Sequence, residues 1–346
     1  MNPKDAGRSA GRRRGIGAWP RRLGACVTLG AVALVASASG GCGADFAPFN
    51  RVTGLRVLAI QSTPATPLTG ETATFSALVV TPSSEPAPPL TYKWSWCPTA
   101  GVSSNGYKCP IDEAFLAAQG LPPLPAFDLG AEPTASLANN IPSDLFAAVC
   151  SGKVTLPGQS VSFPLDCSAG YPIQIMLTVN SDTDALTAVQ TVKLRFDPTT
   201  PANDNPKIDG LSAILGPANM AMPVPIVGSA AEGPLVTLPR QVATRLQVDM
   251  SESVAEVYLG KDDDGNPATV TERLFLTWFI ETGDTDDQRT SFYSGSTNFA
   301  DLTKNTWTPG PVKDYPSDTA RIYVVAHDSR GGVSWRPGTV TLGAAP

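Results

Sequence analysis

The sequence predicts an all-β fold with two antiparallel β-sandwiches in tandem. The main observation is that apolar and polar residues alternate along many short segments, such as Ile173–Val179. This period of two is typical of a strand that packs one face on a core. Composition agrees, because 33 prolines, 31 glycines and a charged fraction of 16% favour short strands joined by turns over long helices.

The alternating pattern occurs twice along the chain, which indicates two domains. Arg245–Met250 resembles Thr74–Val79, and Ile322–Ala326 resembles Ile173–Val179. Each set also contains a strand with a central tryptophan. Two copies of one strand pattern in 346 residues predict two sandwiches of similar design.

A polar, proline-rich stretch between the two sets, Asp197–Pro206, predicts the domain boundary. Proline and polar residues in such a run favour an extended connection over a packed strand. We therefore expect one sandwich at about 52–198, a linker at 199–205 and a second sandwich at 206–344.

Each half resembles an immunoglobulin-like sandwich, in which a tryptophan on the third strand fills the core between the sheets. Trp94 and Trp278 occupy that place in the two halves. The second half is also similar to a PKD-type domain. Trp278–Asp284 resembles that family's Trp-x-Phe-Gly-Asp motif with intervening residues, and Val324–Gly332 resembles its closing V-x-V-x-D-x-x-G-G. This resemblance implies a fold class and little about function.

The first half carries an insert at about 98–166, where the strand pattern is interrupted. Within it, Ile111–Gln119 and Asp144–Cys150 are predicted to form short helices, the second with Ser143 as its N-cap. A long connection of this kind cannot bury enough surface by itself, so we expect covalent cross-links to hold it.

The N-terminus has the pattern of an export signal. Arginines at Arg12–Arg14, Arg21 and Arg22 precede an apolar run, Leu23–Ala38, and small residues follow. The apolar run has about 16 residues, whereas a membrane-spanning helix needs roughly 20. The segment is therefore expected to be a cleaved signal peptide.

The end of this signal resembles a bacterial lipobox, in which the chain is cut before a cysteine that receives lipid. Ser39–Gly41 precede Cys42, with Ser39 where the family usually has leucine. The resemblance implies a signal peptide at 1–41, acyl chains such as palmitate on Cys42, and a tether at 42–51. The alternatives are an ordinary secretory signal cut near Ala38 and an uncleaved anchor.

By the same resemblance, Gly43 in place of aspartate favours export to the outer membrane. Of the 25 basic residues, seven lie in 1–41 with one of the 31 acids, so a chain that begins at Cys42 carries a net charge of −12. Such a surface repels phosphate backbones, so nucleic acid is not an expected partner. The expected partners are the membrane, through the lipid on Cys42, and a protein or glycan.

The four cysteines beyond residue 42 are expected to form two disulfides, because an even number in an exported protein indicates a cross-linked framework. Three pairings are open. We favour Cys97–Cys109 and Cys150–Cys167, since both close short loops. A zinc site is the alternative, but the sequence has no C-x-x-C motif and no histidine near these cysteines.

No catalytic motif supports an enzymatic function. The chain has one histidine, His327, and alternation places it with Arg321, Tyr323 and Val325 on the predicted solvent face. The chain from Cys42 onward has no G-x-S-x-G, Walker loop or H-E-x-x-H, so we expect no cofactor and no catalytic residue. An enzyme that uses carboxylates from the insert remains an alternative.

Two acidic clusters raise the question of calcium. The candidate ligands are Asp262, Asp264 and Asp328, which the predicted strand order brings to one end of the second sandwich. Carboxylates in loops are the ligands that calcium prefers. The competing interpretation is a solvated acidic loop without metal.

Tyr92, Trp94 and Trp96 form an aromatic stripe on one face of a predicted strand. Glycan-binding modules use such stripes, and Trp96 is the candidate for stacking on a sugar. More often a stripe of this kind belongs to the core. The sequence as a whole predicts a non-enzymatic envelope lipoprotein for adhesion or scaffolding, with a glycan-binding subunit of a surface polysaccharide system as the alternative.

Overall fold

The computed structural model describes residues 48–84, 86–99, 103, 106–118, 120, 122–152, 167–217, 219–261 and 265–345. Cys42 and the signal segment lie outside the described residues, as do Asp262 and Asp264 of the calcium hypothesis. No helix in the described part of the chain is long and apolar enough to cross a membrane.

The strands divide into two groups along the chain. The first sandwich contains β1 (Arg56–Thr63), β2 (Thr72–Val80), β3 (Thr91–Cys97), β4 (Asp128–Gly130), β5 (Ala135–Ala138), β6 (Tyr171–Asn180) and β7 (Ala185–Leu194). The second contains β8 (Gly210–Leu215), β9 (Met222–Pro225), β10 (Val236–Pro239), β11 (Thr244–Asp249), β12 (Val257–Lys261), β13 (Pro267–Thr271), β14 (Leu274–Ile280), β15 (Asp284–Thr285), β16 (Arg289–Phe292), β17 (Lys304–Thr308), β18 (Thr319–Asp328) and β19 (Val333–Gly343). The helices are α1 (Glu113–Ala118), α2 (Ser143–Cys150) and α3 (Phe299–Leu302).

The first sandwich has one sheet of order β1-β2-β5 and a facing sheet of order β4-β3-β6-β7. Both sheets are antiparallel. The interpretation of 98–166 as an insert throughout is therefore wrong, because β4 and β5 lie within it and each supplies a strand to one sheet. Trp94 and Trp96 are fully buried between the sheets with Phe75 and Ile175.

Helix α2 packs on this core through Leu145, Phe146 and Val149, which are buried. It begins at Ser143, and Pro142 occupies the N-cap position without a side-chain cap. The prediction that Ser143 caps this helix is wrong, because the helix begins one residue earlier than expected: the Pro142 carbonyl already accepts from the Leu145 amide at 3.1 Å, so Ser143 is the first helical residue. The structure contains both favoured disulfides, Cys97–Cys109 and Cys150–Cys167.

The second sandwich has sheets of order β10-β19-β18-β14-β16 and β15-β17-β11-β8-β9. Trp278 and Trp307 are fully buried between them. The prediction that alternate residues of β14, from Leu274 to Ile280, line one core face is confirmed. Strand β10 pairs in parallel with β19, while β12 and β13 form a separate two-stranded ribbon that the sequence analysis did not predict.

The two sandwiches pack against each other through a third apolar cluster and belong to one compact unit. Phe279, Tyr323 and Val325 on the outer face of the second sandwich are buried against Ala59 and Val80 of the first. The assignment of Tyr323 and Val325 to a solvent face is therefore wrong: they point away from their own core, but the first sandwich covers them.

The chain also crosses to the second sandwich before it enters β1. Arg51 pairs with Ile280 at the end of β14, where the Val52 amide donates to the Ile280 carbonyl at 2.8 Å. The Ile280 amide in turn donates to the Asn50 carbonyl at 2.9 Å. Within the region expected as a tether, residues 48–51 are thus held on the second sandwich.

Candidate functional site

Two buried polar clusters join the sandwiches at opposite ends of their contact. Strand β14 runs from Leu274, which faces Asp328, to Ile280, which faces Ile322. We call the end of the molecule beyond Ile280 the Glu281 end and the end beside Asp328 the Arg330 end. Seven residues of strand at about 3.3 Å each separate the two ends by roughly 20 Å.

At the Glu281 end, the buried carboxylate of Glu281 accepts four hydrogen bonds. Ser83 of the first sandwich donates from its amide at 2.8 Å and from its hydroxyl at 2.5 Å. The Tyr315 hydroxyl and the Arg321 amide each donate at 2.9 Å. Burial, together with the neighbouring carboxylate, raises the pKa of Tyr315 to about 12, so this phenol stays protonated and remains a donor.

At the Arg330 end, a buried guanidinium ties the linker to the second sandwich. Arg330 contacts Glu256 and Glu272, each with an N–O distance of 3.1 Å. Its other terminal nitrogen donates to the carbonyls of Pro201 and Ala202 at 2.7 and 2.5 Å. Hydrogen bonds from a buried guanidinium therefore hold the segment 199–205 in place, unlike a flexible spacer, although only Asn203 of the segment is buried.

Asp328 holds the turn that presents Arg330. Its Oδ1 accepts from the amides of Arg330, Gly331 and Gly332 at 2.7–2.8 Å, and its Oδ2 accepts from Asn203 at 3.1 Å. Gly331 has φ of 107°, a conformation that favours glycine, and a Cβ on Gly332 would lie 2.0 Å from the Asp328 carboxylate. This geometry explains the D-x-x-G-G pattern as a turn. The calcium set stays a prediction, since two of its members lie outside the described residues.

Glu272 is the most constrained acid of the Arg330 end. Its side chain is 1% exposed, and its Oε2 has no hydrogen-bond partner among the described residues. Burial raises the pKa of Glu272 to about 7, and repulsion from Asp328 adds to this while Arg330 opposes it. A carboxyl group that gains a proton near neutral pH makes this junction sensitive to pH.

A groove opens beside Arg330, and we call it the junction groove. Its volume is about 240 Å³, and the first sandwich, the linker and the β12–β13 ribbon all contribute to its lining: Ser168, Ala169, Pro201, Tyr258, Leu259, Gly260, Lys261, Pro267 and Arg330. The Tyr258 ring lies 4.5 Å from the Arg330 guanidinium. Sites for small molecules usually have about 300–1,000 Å³, so this groove suits a side chain of a protein partner better than a cofactor.

The ribbon beside the groove exposes apolar residues. Leu259 is 77% exposed and Val257 is 64% exposed, on the same face of β12. Strands β12 and β13 pair only with each other in the described sheets. Exposed aliphatic side chains on a ribbon with unpaired edges are typical of a surface that binds another chain.

Trp96 is not available to a glycan. It is fully buried, its Nε1 donates to the Ala126 carbonyl at 2.9 Å, and Phe127 packs against it edge-on at 5.4 Å between ring centroids. The hypothesis that Trp96 stacks on a sugar is therefore wrong for this structure, and the interpretation of the stripe as core applies.

His327 lies half-buried on the outer face of β18. Its ring stacks on Phe275 at 5.0 Å, and Arg289 lies 5.0 Å from the same Phe275 ring. Burial, reinforced by the positive charge of Arg289, lowers the pKa of His327 to about 4. The imidazole is therefore neutral at physiological pH. The ring lies on the outer face predicted for it, where neighbouring side chains partly cover it.

Comparison with known proteins finds no family and structural similarities of low score. No family model matches the sequence, and no curated protein matches it. Among solved structures, the D00-D0 domain of Intimin has a TM-score of 0.22 at 8% identity, covering 84% of this chain and 98% of that one. A chimeric titin Z1Z2-Z1Z2 tandem has a TM-score of 0.21 at 10% identity, covering 84% of this chain and 100% of that one.

Three N-terminal domains of the bacteriophage RB49 outer capsid protein Hoc give a TM-score of 0.19 at 12% identity, covering 85% of this chain and all of that one. Scores this low carry no argument about fold or function. The chain's own paired sheets establish the tandem of Ig-like sandwiches, and the predicted all-β class is confirmed.

Sequence reasoning missed both polar clusters. In the sequence alone, an acid such as Glu281 or Glu272 is interpreted as solvent-exposed, because its hydrogen-bond and ion-pair partners are not known. One signal was present: Glu281 follows directly on the apolar run Leu274–Ile280, where a turn residue would be usual. The D-x-x-G-G motif was found, but the turn it forms positions Arg330, and spacing alone does not show that.

Proposed function

We propose that this chain is a non-enzymatic, lipid-anchored protein of the cell envelope that presents the junction groove to a protein partner. The observation that carries the proposal is that both sandwiches and the linker build one groove. A binding site that spans two domains needs a fixed domain arrangement, which the two buried polar clusters and the apolar contact supply. The role is adhesion or scaffolding within the envelope.

Export is supported by the signal pattern and by the two disulfides, which persist in oxidising compartments. The lipobox resemblance supports a lipid on Cys42, and two or more acyl chains are enough for stable anchoring. Glycine at position 43 favours the outer membrane. The net charge of −12 disfavours nucleic acid as a partner.

A non-enzymatic role agrees with the state of His327, which is the one histidine of the chain. A general base needs a pKa near the working pH, and the pKa of His327 is lowered to about 4. The ring is also held by Phe275 rather than directed at a nucleophile.

The anchor is tested by the mass of the N-terminal peptide of the protein purified from its native membrane. We expect a peptide that begins at Cys42 and carries acyl chains, and we expect Cys42→Ser to move the protein into the soluble fraction. An unmodified start near Ala38 contradicts the anchor.

The groove is tested by a photo-reactive benzoylphenylalanine in place of Leu259 in living cells. The matched control carries the same probe in place of Met222, which is 68% exposed on β9 of the second sandwich. We expect a discrete protein adduct from position 259 and none from position 222. Equal adducts at both positions, or none at 259, contradict the groove as the partner site.

A further inference from the structure

We propose that the Glu281 end of the molecule rests on the lipid bilayer, with Phe49 and Val312 in contact with the zwitterionic headgroup layer. This inference deepens the proposed function and rests on its lipid anchor at Cys42. It names a second interaction surface, distinct from the junction groove, and a partner of defined chemistry.

The first argument is the length of chain between the lipid and the fold. Five residues separate Cys42 from Pro48, the first residue that the structure describes. Six residue steps span at most about 20 Å even when fully extended. A lipid on Cys42 therefore holds Pro48 within about 20 Å of the bilayer surface.

The second argument is that hydrogen bonds and an ion pair hold residues 48–52 on the second sandwich. Besides the backbone hydrogen bonds to Ile280, the side-chain amide of Asn50 donates to the Trp278 carbonyl at 3.0 Å and to Thr285 Oγ1 at 3.1 Å. Arg51 forms an ion pair with Asp284 at 2.7 Å. The short connection to the lipid thus begins at a fixed point on the Glu281 end.

The third argument is the chemistry of the surface around that point. Arg51, Pro311 and Tyr315 line one cleft of about 340 Å³, which places the turn 310–315 beside the start of the described chain. Phe49 is 48% exposed two residues before Arg51, and Val312 is 57% exposed directly after Pro311, so both segments that meet at the cleft carry an exposed apolar side chain. The buried Tyr315 ring lines the cleft itself.

The charges at this surface favour a zwitterionic partner. The cleft is lined by one cation, Arg51, and by three acids, Glu281, Asp284 and Asp314. This excess of acids disfavours contact with an anionic lipid surface. A polybasic patch, the usual feature of a surface that binds anionic lipid, is absent from this described part of the chain. The groove at the Arg330 end is then held roughly 20 Å further from the membrane, where a partner can reach it.

The test uses the full lipid-modified chain in vesicles of phosphatidylcholine and phosphatidylethanolamine. A photo-reactive benzoylphenylalanine replaces Phe49, Val312 or Leu259, and mass spectrometry detects lipid adducts after irradiation. Leu259 is the matched control, because it is more exposed than the other two positions but lies at the Arg330 end. We expect at least fivefold more lipid adduct at 49 and 312 than at 259.

A second variant tests whether the lipid adducts depend on the short connection between Cys42 and the fold. A 20-residue glycine–serine spacer inserted after Gly43 keeps the lipid and the fold but lengthens the connection, and we expect it to reduce adducts at 49 and 312 at least fivefold. Equal adducts at all three positions, or adducts that ignore the spacer, overturn this inference and leave the anchor intact. A peptide mass without lipid on Cys42 overturns the anchor and this inference with it.

Discussion

Donors from both sandwiches converge on the carboxylate of Glu281, which makes this residue a direct test of the contact between them. We expect Glu281→Gln to lower the free energy of unfolding by about 2–3 kcal/mol, because the amide nitrogen would face donors instead of accepting from them. Chemical denaturation measures this loss. Glu252→Gln, at an exposed position, is the control and should change stability by less than about 0.5 kcal/mol. A similar loss in both variants contradicts the role assigned to Glu281.

The buried acid Glu272 and the half-buried His327 make opposite contributions to the pH dependence of stability. The pKa of Glu272 is raised to about 7 in the folded chain, so its protonation favours folding and stability is lost as pH rises from about 4.5 to 7. The pKa of His327 is lowered to about 4, so stability is lost as pH falls from about 6.5 to 4. Each shift corresponds to about 3 kcal/mol, and the two effects largely cancel in the native chain.

Single substitutions should separate the contributions of Glu272 and His327 to the pH dependence of stability. We expect Glu272→Gln to leave a protein that loses stability as pH falls below 6.5, because the His327 contribution then dominates. We expect His327→Gln to leave a protein that loses stability as pH rises toward 7, with Glu256 adding to the effect because burial raises its pKa as well. Denaturation midpoints measured from pH 4.5 to 7.5 test both predicted pH dependences. Parallel curves for both variants and the parent contradict these assignments.

Single residues differ in how far the sequence could predict them. The predicted core positions of Trp94 and Trp278 agree with the structure, since large aromatic side chains in alternating strands usually lie on the buried face. The observed cysteine pairs are those that short loop length favoured among three possible pairings. Glu281 and Arg330 could not be predicted, because their buried state depends on partners about 200 and 130 residues away in the chain.

Among the elements, helix α2 depends most on packing. Phe146 contacts Tyr171 at 3.9 Å and Phe196 at 4.8 Å between ring centroids, and its side chain is buried. We expect Phe146→Ala to cost about 3–5 kcal/mol by opening a cavity in the first core. Ala147→Gln changes an exposed position of the same helix and should cost less than about 0.5 kcal/mol. Urea denaturation measures both, and equal costs would show that α2 does not pack on the core.

Elements were predictable where alternation was long and were missed where it was short. Strands such as β6 and β18 have ten residues each, enough for a clear period of two. Strands β4 and β5 have three and four residues, and the prolines before them indicate a loop. Residues 128–138 were therefore assigned to an insert, although β5 completes one sheet and β4 the other.

For the whole molecule, alternation separates the two faces of a strand but does not show what covers the second face. The outer face of β18 is apolar at Val325, but alternation alone assigns it to solvent because its partner lies in another domain. The attachment of the linker to Arg330 was missed for the same reason, since proline-rich polar segments are usually solvated. Contacts between domains join residues that are far apart in the sequence, so a local sequence pattern does not predict them.

The packed outer face predicts that the two sandwiches unfold together. In the native chain we expect one calorimetric transition whose calorimetric and van't Hoff enthalpies agree. Val325→Asp places a charge in the contact between the sandwiches, at a cost of about 3–5 kcal/mol while they stay packed. Separation of the sandwiches would hydrate that charge without disturbing the core around Trp278, so the variant should show two transitions.

The control is Leu259→Asp, which adds the same charge to the same sandwich at an exposed position and should keep a single transition. Two transitions in the native chain would show that the contact does not couple the sandwiches. One transition in Val325→Asp, lowered in temperature but undivided, would show that the second sandwich cannot fold without the first. Since the junction groove takes its lining from both sandwiches, the divided variant should also lose the adduct from a photo-reactive probe at position 259.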